Sequence, residues 1–232
     1  MKKTTGIERE TTRRWRQATQ LVRGGTRRSD QDETSEALYL TSGYAYDAAE
    51  IAEARFKGDA AGYTYSRLSN PTVAVFEERM ALIEGAEAAR ATATGMAAMT
   101  AALLSVVKAG DHVVASRALF GSCRWLVETL LPRFGVATTL VHGPDTKAWA
   151  QAVRPATRAF FFETPANPTF DLVDIAAVAE IAHAAGARVI VDNVFATPLY
   201  QKPLALGADI VAYSATKHID GQGRVLGGIV LG

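Results

Sequence analysis

The chain has 232 residues, 48% apolar and 21% charged, with a net charge of +1. This is the composition of a globular protein with a sizeable core, and its balanced charge gives no electrostatic case for nucleic acid or an anionic membrane as partner. The lone cysteine, Cys123, excludes an intrachain disulfide, and four histidines at no ligand spacing leave no zinc argument; a reducing, cytoplasmic setting fits.

Residues 1–60 are polar and irregular, and only Ala48–Phe56 reads as helical. Basic residues from Lys2 to Arg28 are followed by acids from Asp30 to Asp59, so the stretch reads as a solvated arm whose charges balance locally. Too poor in apolar residues to build its own core, the arm is expected to pack on a second subunit. Its first residues, MKKTTGIERETTRRW, lack the apolar stretch of a signal peptide.

Regularity begins at residue 70. Asn70-Pro71 is a helix start, with Val73, Phe76, Met80 and Ile83 at helical spacing and Gly85 at the stop. A strand, Ala89–Ala93, leads through Thr94-Gly95-Met96 into a helix to about Val107. That run is weakly polar, but its Thr, Gly and Ser content suits a buried helix better than a membrane span. Strands follow at His112–Ser116, Val136–Val141, Arg158–Glu163, Ala187–Asp192, Ile210–Tyr213 and Leu226–Leu231. Helices are expected at Cys123–Leu131 (stopped by Pro132), Thr146–Val153 and Ile175–Ala185. Short, solidly apolar strands alternating with helices predict an α/β fold: a mostly parallel sheet covered by helices on both faces, over residues 61–232.

In such a sheet, chemistry gathers where strands end. Thr94-Gly95-Met96 is either a plain strand–helix turn or a phosphate cradle at a helix N-terminus. Phe120 is a core aromatic or a ring-stacking one, and Asn167 in ETPANPT is a turn asparagine or a donor to a ring oxygen. Asp192 and Lys217 end successive strands, and the pair is awkward to explain as packing. A lysine that links to a cofactor aldehyde and an acid that pairs with its ring nitrogen explain both, with Ser214 and Thr216 as phosphate donors. Tyr63, Tyr65 and Arg67 precede the sheet and are either a solvent-exposed loop or part of a site, since Arg suits a phosphate dianion. Ser214-Ala215-Thr216-Lys217 also matches the S-x-x-K acylase signature, but the partner motifs S-D-N and K-T-G do not occur.

Taken in order, YSRLSNPT, ATGM, LFGSC, ETPANPT, VDNVFATP and SATKHIDGQGR resemble the signature segments of the cystathionine γ-synthase family of pyridoxal-phosphate enzymes. The resemblance spans about Gln20 to Gly232 and is strongest to the O-succinylhomoserine sulfhydrylase branch. It implies the large domain of an aspartate-aminotransferase-like fold, cytoplasmic and homo-oligomeric, a dimer at least and a tetramer in the family's usual form. It implies Lys217 as the catalytic lysine that carries pyridoxal 5'-phosphate and Asp192 as partner of the ring nitrogen. Gly95, Met96, Ser214 and Thr216 would hold the phosphate, Tyr65 and Arg67 would reach the phosphate of a neighbouring subunit, and Asn167 would bond the ring hydroxyl. Phe120 stands where the family more often has a stacking tyrosine, so stacking is kept and a hydroxyl lost. The implied reaction joins O-succinylhomoserine and sulfide into homocysteine and succinate, with cystathionine formation and γ-elimination as alternatives. Family members continue into a smaller C-terminal domain carrying a carboxylate-binding arginine, which this chain lacks. A shortened chain that binds cofactor without turnover is therefore the alternative from another class.

Overall fold

The computed structural model describes residues 9–232; Lys2 and Lys3 of the predicted arm lie outside the described residues. The chain divides into two compact units, Met1–Ile83 and Glu84–Gly232.

The first unit holds α1 (Arg9–Arg13), α2 (Gln17–Arg23), α3 (Ala49–Lys57) and nearly all of α4 (Pro71–Glu84). Asn70 caps α4: its Oδ1 accepts from Thr72 N–H at 2.9 Å, while its Nδ2 donates to Tyr39 O at 3.0 Å. The polar stretch before α4 is tied to that helix by side chains. Arg79 pairs with Glu36 and donates to Gly24 O at 2.8 Å, and Arg27 meets Glu78 at 3.0 Å. No residue of α3 is buried, and Leu38, Leu40, Phe56 and Leu68 are exposed. Polar ties in place of an apolar core explain why this stretch shows so little periodicity.

The second unit is built on seven strands: β1 (Ala89–Thr92), β2 (His112–Ser116), β3 (Ala137–Val141), β4 (Thr157–Glu163), β5 (Arg188–Asp192), β6 (Ile210–Ser214) and β7 (Gly228–Leu231). They lie in the order β1-β7-β6-β5-β4-β2-β3. From β3 to β6 all pairs are parallel, whereas β7 runs antiparallel between β1 and β6. The connections carry α5 (Gly95–Leu104), α6 (Gly121–Trp125), α7 (Leu131–Arg133), α8 (Thr146–Gln151), α9 (Ile175–Ala184) and α10 (Thr197–Tyr200).

One helix departs from expectation. Pro132 does not stop the helix from Cys123; it sits inside α7. A π turn, Leu126–Leu130, precedes it, and Leu131 N–H reaches back five residues to Leu126 O. The wider turn accommodates a ring that lacks an N–H and crowds the preceding turn.

Side chains alternate across a strand, which sorts the sheet into two faces. Phe161, Ile190 and Ala212 join Met99, Leu103, Cys123 and Leu126 in the core beneath α5 and α6. On the opposite face Trp149 of α8 is fully buried. It stacks on Phe160 at 5.7 Å, meets Phe162 edge-on at 5.5 Å and donates its indole N–H to Gly143 O at 2.8 Å. On that face α9 packs along β5.

Behind the sheet end runs a buried polar chain. Tyr213 donates to Glu84 Oε2 at 2.5 Å, and Asn193 donates to the Tyr213 hydroxyl at 2.7 Å. Gln201 in turn donates to Asn193 Oδ1 at 2.7 Å and to Thr164 O at 2.9 Å. Burial lifts Glu84 from the ordinary 4.5 to about 7, against the pull of the Tyr213 hydroxyl. Between those pH values the folded chain keeps a proton the unfolded chain has lost, so stability falls as pH rises. Glu84→Gln should therefore match wild type near pH 4 and exceed it by about 1–3 kcal/mol at pH 8. Urea denaturation at both pH values checks this; a variant no more stable at pH 8 would show that the charge is not costly there.

Candidate active site

The strands β4, β5 and β6 end together. Glu163, Asp192 and Ser214 lie two residues beyond Phe161, Ile190 and Ala212 on the same strands, and therefore on the same face. Where the core stops, these three polar side chains open a cavity of about 490 Å3. That volume suits a small cofactor or metabolite.

The cavity brings together eight of the residues singled out from the sequence: Gly95, Met96, Phe120, Asn167, Asp192, Ser214, Thr216 and Lys217. Cys123, Val194, Phe195, His218 and Leu226 also line it. Tyr63, Tyr65 and Arg67 belong to the first unit and are not part of this cavity. There the Arg67 guanidinium sits 5.3 Å over the Tyr65 ring, and Tyr63 accepts from Arg27 at 2.8 Å.

One wall is the start of α5. Thr94 caps the helix by accepting from Ala97 N–H at 3.1 Å. The N–H groups of Gly95 and Met96 precede the first intrahelical bond, Ala98 N–H to Thr94 O at 3.1 Å, and so offer orphan donors with a partial positive charge. Gly95 is needed for close approach. A Cβ there would lie 2.5 Å from Ser214 Cβ and 2.9 Å from Ser214 Cα, so β6 and the helix start nearly touch. Gly95→Ala should cost about 1–3 kcal/mol of stability by overpacking. Urea unfolding reads this out, and a wild-type midpoint would mean that the strand end yields.

Opposite lies the acid floor. Asp192 is buried, its Oδ1 accepts from Val194 N–H at 3.1 Å, and its register partners are Glu163 and Ala212. Burial, and then the neighbouring Glu163 charge, push Asp192 up to about 8. The site thus holds a proton at neutral pH that a basic ring nitrogen can share. Phe120 is exposed at the entrance to α6, and its backbone N–H donates to Glu163 Oε2 at 2.8 Å. Asn167 follows β4 in a loop whose Thr164-Pro165 and Asn167-Pro168 bonds are both cis.

Lys217 lies three residues past the end of β6, exposed, on a turn held by Lys217 N–H to Ser214 O at 3.2 Å and Gly221 N–H to Lys217 O at 2.8 Å. The Thr216 hydroxyl donates to Gly227 O at 3.2 Å and accepts from Gly227 N–H at 3.0 Å, tying this turn to the approach of β7. To donate to a phosphate it must release that carbonyl. Burial pushes the Cys123 thiol far up, which removes it as a nucleophile at neutral pH.

Two residues stand out that the sequence reading passed over. Glu163 ends a strand, and an acid at a third strand end is the same signal that singles out Asp192. Phe195, inside VDNVFATP, stacks on Phe170 at 5.6 Å and stands 6.4 Å from the His218 ring, forming an aromatic rim. Among the described residues no group of His, Cys, Asp and Glu could hold a metal ion, and no helix is long and apolar enough to cross a membrane.

The donor set fits pyridoxal phosphate. A helix start with nearby hydroxyls suits a phosphate, a buried acid suits a pyridine nitrogen, an aromatic suits a ring face, and a lysine suits an aldehyde. Comparison with known proteins agrees. The family model for Cys/Met metabolism PLP-dependent enzymes matches residues 18–232. The chain is 60% identical over 216 residues to an O-succinylhomoserine sulfhydrylase of Mycobacterium tuberculosis, covering 93% of this chain and 53% of the relative. It is 42% identical over 217 residues to an L-methionine gamma-lyase of Treponema denticola, covering 93% of this chain and 54% of the relative. The chain thus spans about half the length of the curated relatives it matches. A Campylobacter jejuni structure described as an O-acetylhomoserine (thiol)-lyase superposes with a TM-score of 0.90 at 32% identity, covering 94% of this chain and 53% of that one. That structure holds a lysine in the form of N'-pyridoxyl-lysine-5'-monophosphate. With the cavity and the match over residues 18–232 together, the chain belongs to the Cys/Met metabolism family of PLP-dependent enzymes.

Proposed function

We propose that this chain supplies the cofactor site of a γ-replacement enzyme that converts O-succinylhomoserine and sulfide to homocysteine and succinate. The observation that carries this reading is the convergence of Asp192, Lys217 and the α5 N-terminus on one cavity. Higher identity to the sulfhydrylase than to the gamma-lyase supports replacement over elimination.

When bound, pyridoxal phosphate supplies an electron sink that stabilises negative charge at the substrate's α-carbon. Lys217 holds the cofactor's aldehyde carbon at rest. Freed from that link, its Nζ would be a base beside the α-carbon, in position to handle the α-proton and the β-proton. Asp192 keeps a proton at the ring nitrogen. Gly95, Met96, Ser214 and Thr216 hold the phosphate, Asn167 orients the ring hydroxyl, and Phe120 covers the ring face. Phe120 has no hydroxyl to move a proton, which leaves that work to Lys217. Phe195 and Leu226 add apolar lining to the cavity.

Tyr65 and Arg67 reach the phosphate of a second copy in this proposal, which makes a homo-oligomer, a dimer or tetramer, the working form. The cytoplasm is the setting, supported by the single buried cysteine. A second reading is cofactor binding without turnover.

One assay separates the two readings. Pyridoxal phosphate is added to the purified chain and its absorbance is followed; O-succinylhomoserine and sulfide are then supplied. Cofactor uptake with homocysteine supports replacement. Uptake without homocysteine supports the second reading, and no uptake contradicts both.

A further inference from the structure

We propose that Glu163 is the positioning residue of this cavity, a buried carboxylate that fixes the loop carrying Phe120 to the start of the loop carrying Asn167. The inference deepens the pyridoxal-phosphate reading and rests on it.

Glu163 is the last residue of β4, 4% exposed, and it lines the cavity beside its register partner Asp192. Its Oε2 accepts from Phe120 N–H at 2.8 Å, across 43 residues of chain. Asn167 lies four residues on, in the loop that leaves β4 directly after Glu163. The loop before α6 is therefore anchored to the residue from which the loop after β4 departs. In the proposed site one loop presents the ring-stacking aromatic and the other the partner of the ring hydroxyl. Their spacing across the ring is then set by Glu163.

An acid here is costly. Burial pushes Glu163 above the ordinary carboxylate range, and the hydrogen bond from Phe120 N–H pulls it part of the way back. A glutamine offers a neutral acceptor of the same shape, so hydrogen bonding alone does not require a charge. The charge has a second effect. The other titratable groups lining the cavity are Asp192 on β5, Cys123 on α6, and Lys217 and His218 after β6. A negative charge beside Asp192 raises the proton affinity of its neighbours and so favours a protonated ring system. Glu163 touches neither the α-carbon nor the leaving group in this scheme; it acts through Phe120, Asn167 and Asp192.

The test titrates the full 232-residue chain with pyridoxal 5'-phosphate and follows the bound chromophore against pH. Glu163→Ala should bind at least about tenfold more weakly, since the loop carrying Phe120 loses its anchor. Glu163→Gln keeps an acceptor for Phe120 and should stay within about threefold of wild-type affinity. It should also lower the pH midpoint of the chromophore by about one unit, because a nearby negative charge is gone. A folded Glu163→Ala with wild-type affinity overturns the role. If Glu163→Ala does not fold, a wild-type midpoint in Glu163→Gln overturns it instead. Failure of the wild-type chain to take up cofactor overturns the underlying reading, and this role with it.

Discussion

Lys217→Ala should lower homocysteine formation from O-succinylhomoserine and sulfide by about 10³-fold or more. The substitution removes the link to the cofactor and the base beside the α-carbon at once, and Phe120 brings no hydroxyl to take over either task. It should leave folding alone. Lys217 is exposed on a turn that is held through its backbone, so stability should stay within about 0.5 kcal/mol of wild type. Lys217→Arg should not restore turnover, because a guanidinium neither forms the link nor gives up its proton. Turnover by Lys217→Ala above a tenth of the wild-type rate would contradict the assignment.

Asp192→Asn should move stability and activity in opposite directions. Without cofactor, the buried Asp192 carboxyl ionises at about 8, against an ordinary 3.8. The unfolded chain loses that proton first, so wild-type stability falls as pH rises from about 4 to about 8. Asparagine keeps an acceptor for Val194 N–H and removes the penalty. The cofactor-free variant should match wild type near pH 4 and be more stable by roughly 2–4 kcal/mol at pH 7.5. Its turnover should fall on the order of 10²–10³-fold, since a neutral amide does not hold a proton at the ring nitrogen. Denaturant titrations at the two pH values, paired with rate measurements, check both halves. A variant that is active, or no more stable at pH 7.5, would break the argument.

The parallel part of the sheet was legible because β2, β4, β5 and β6 are solid apolar runs bounded by turn residues. A strand buried on both faces has no other way to be written. The same rule exposed Asp192 and Lys217, since a charge at or just past the end of such a run has few places to go. Direction was not legible: Gly228–Leu231 is as apolar as its neighbours, yet it runs antiparallel, and nothing in four apolar residues encodes that. The continuation of helix through Pro132 depends on a π turn that leaves no residue signature.

Long-range polar contacts were the least legible of all. Glu163 gains its meaning from Phe120, 43 residues away, and Glu84 from Tyr213, 129 residues away. A glutamate reads the same in sequence whether it is solvated or bears on a buried hydroxyl. Tyr65 and Arg67 are a different case: the role expected for them needs a second copy of the chain.

The most direct test is peptide mapping by mass spectrometry after the chain is incubated with pyridoxal phosphate and reduced with borohydride. The predicted result is a single pyridoxyl group on the peptide containing Lys217. A pyridoxyl group spread over surface lysines, or on none, would contradict the site described.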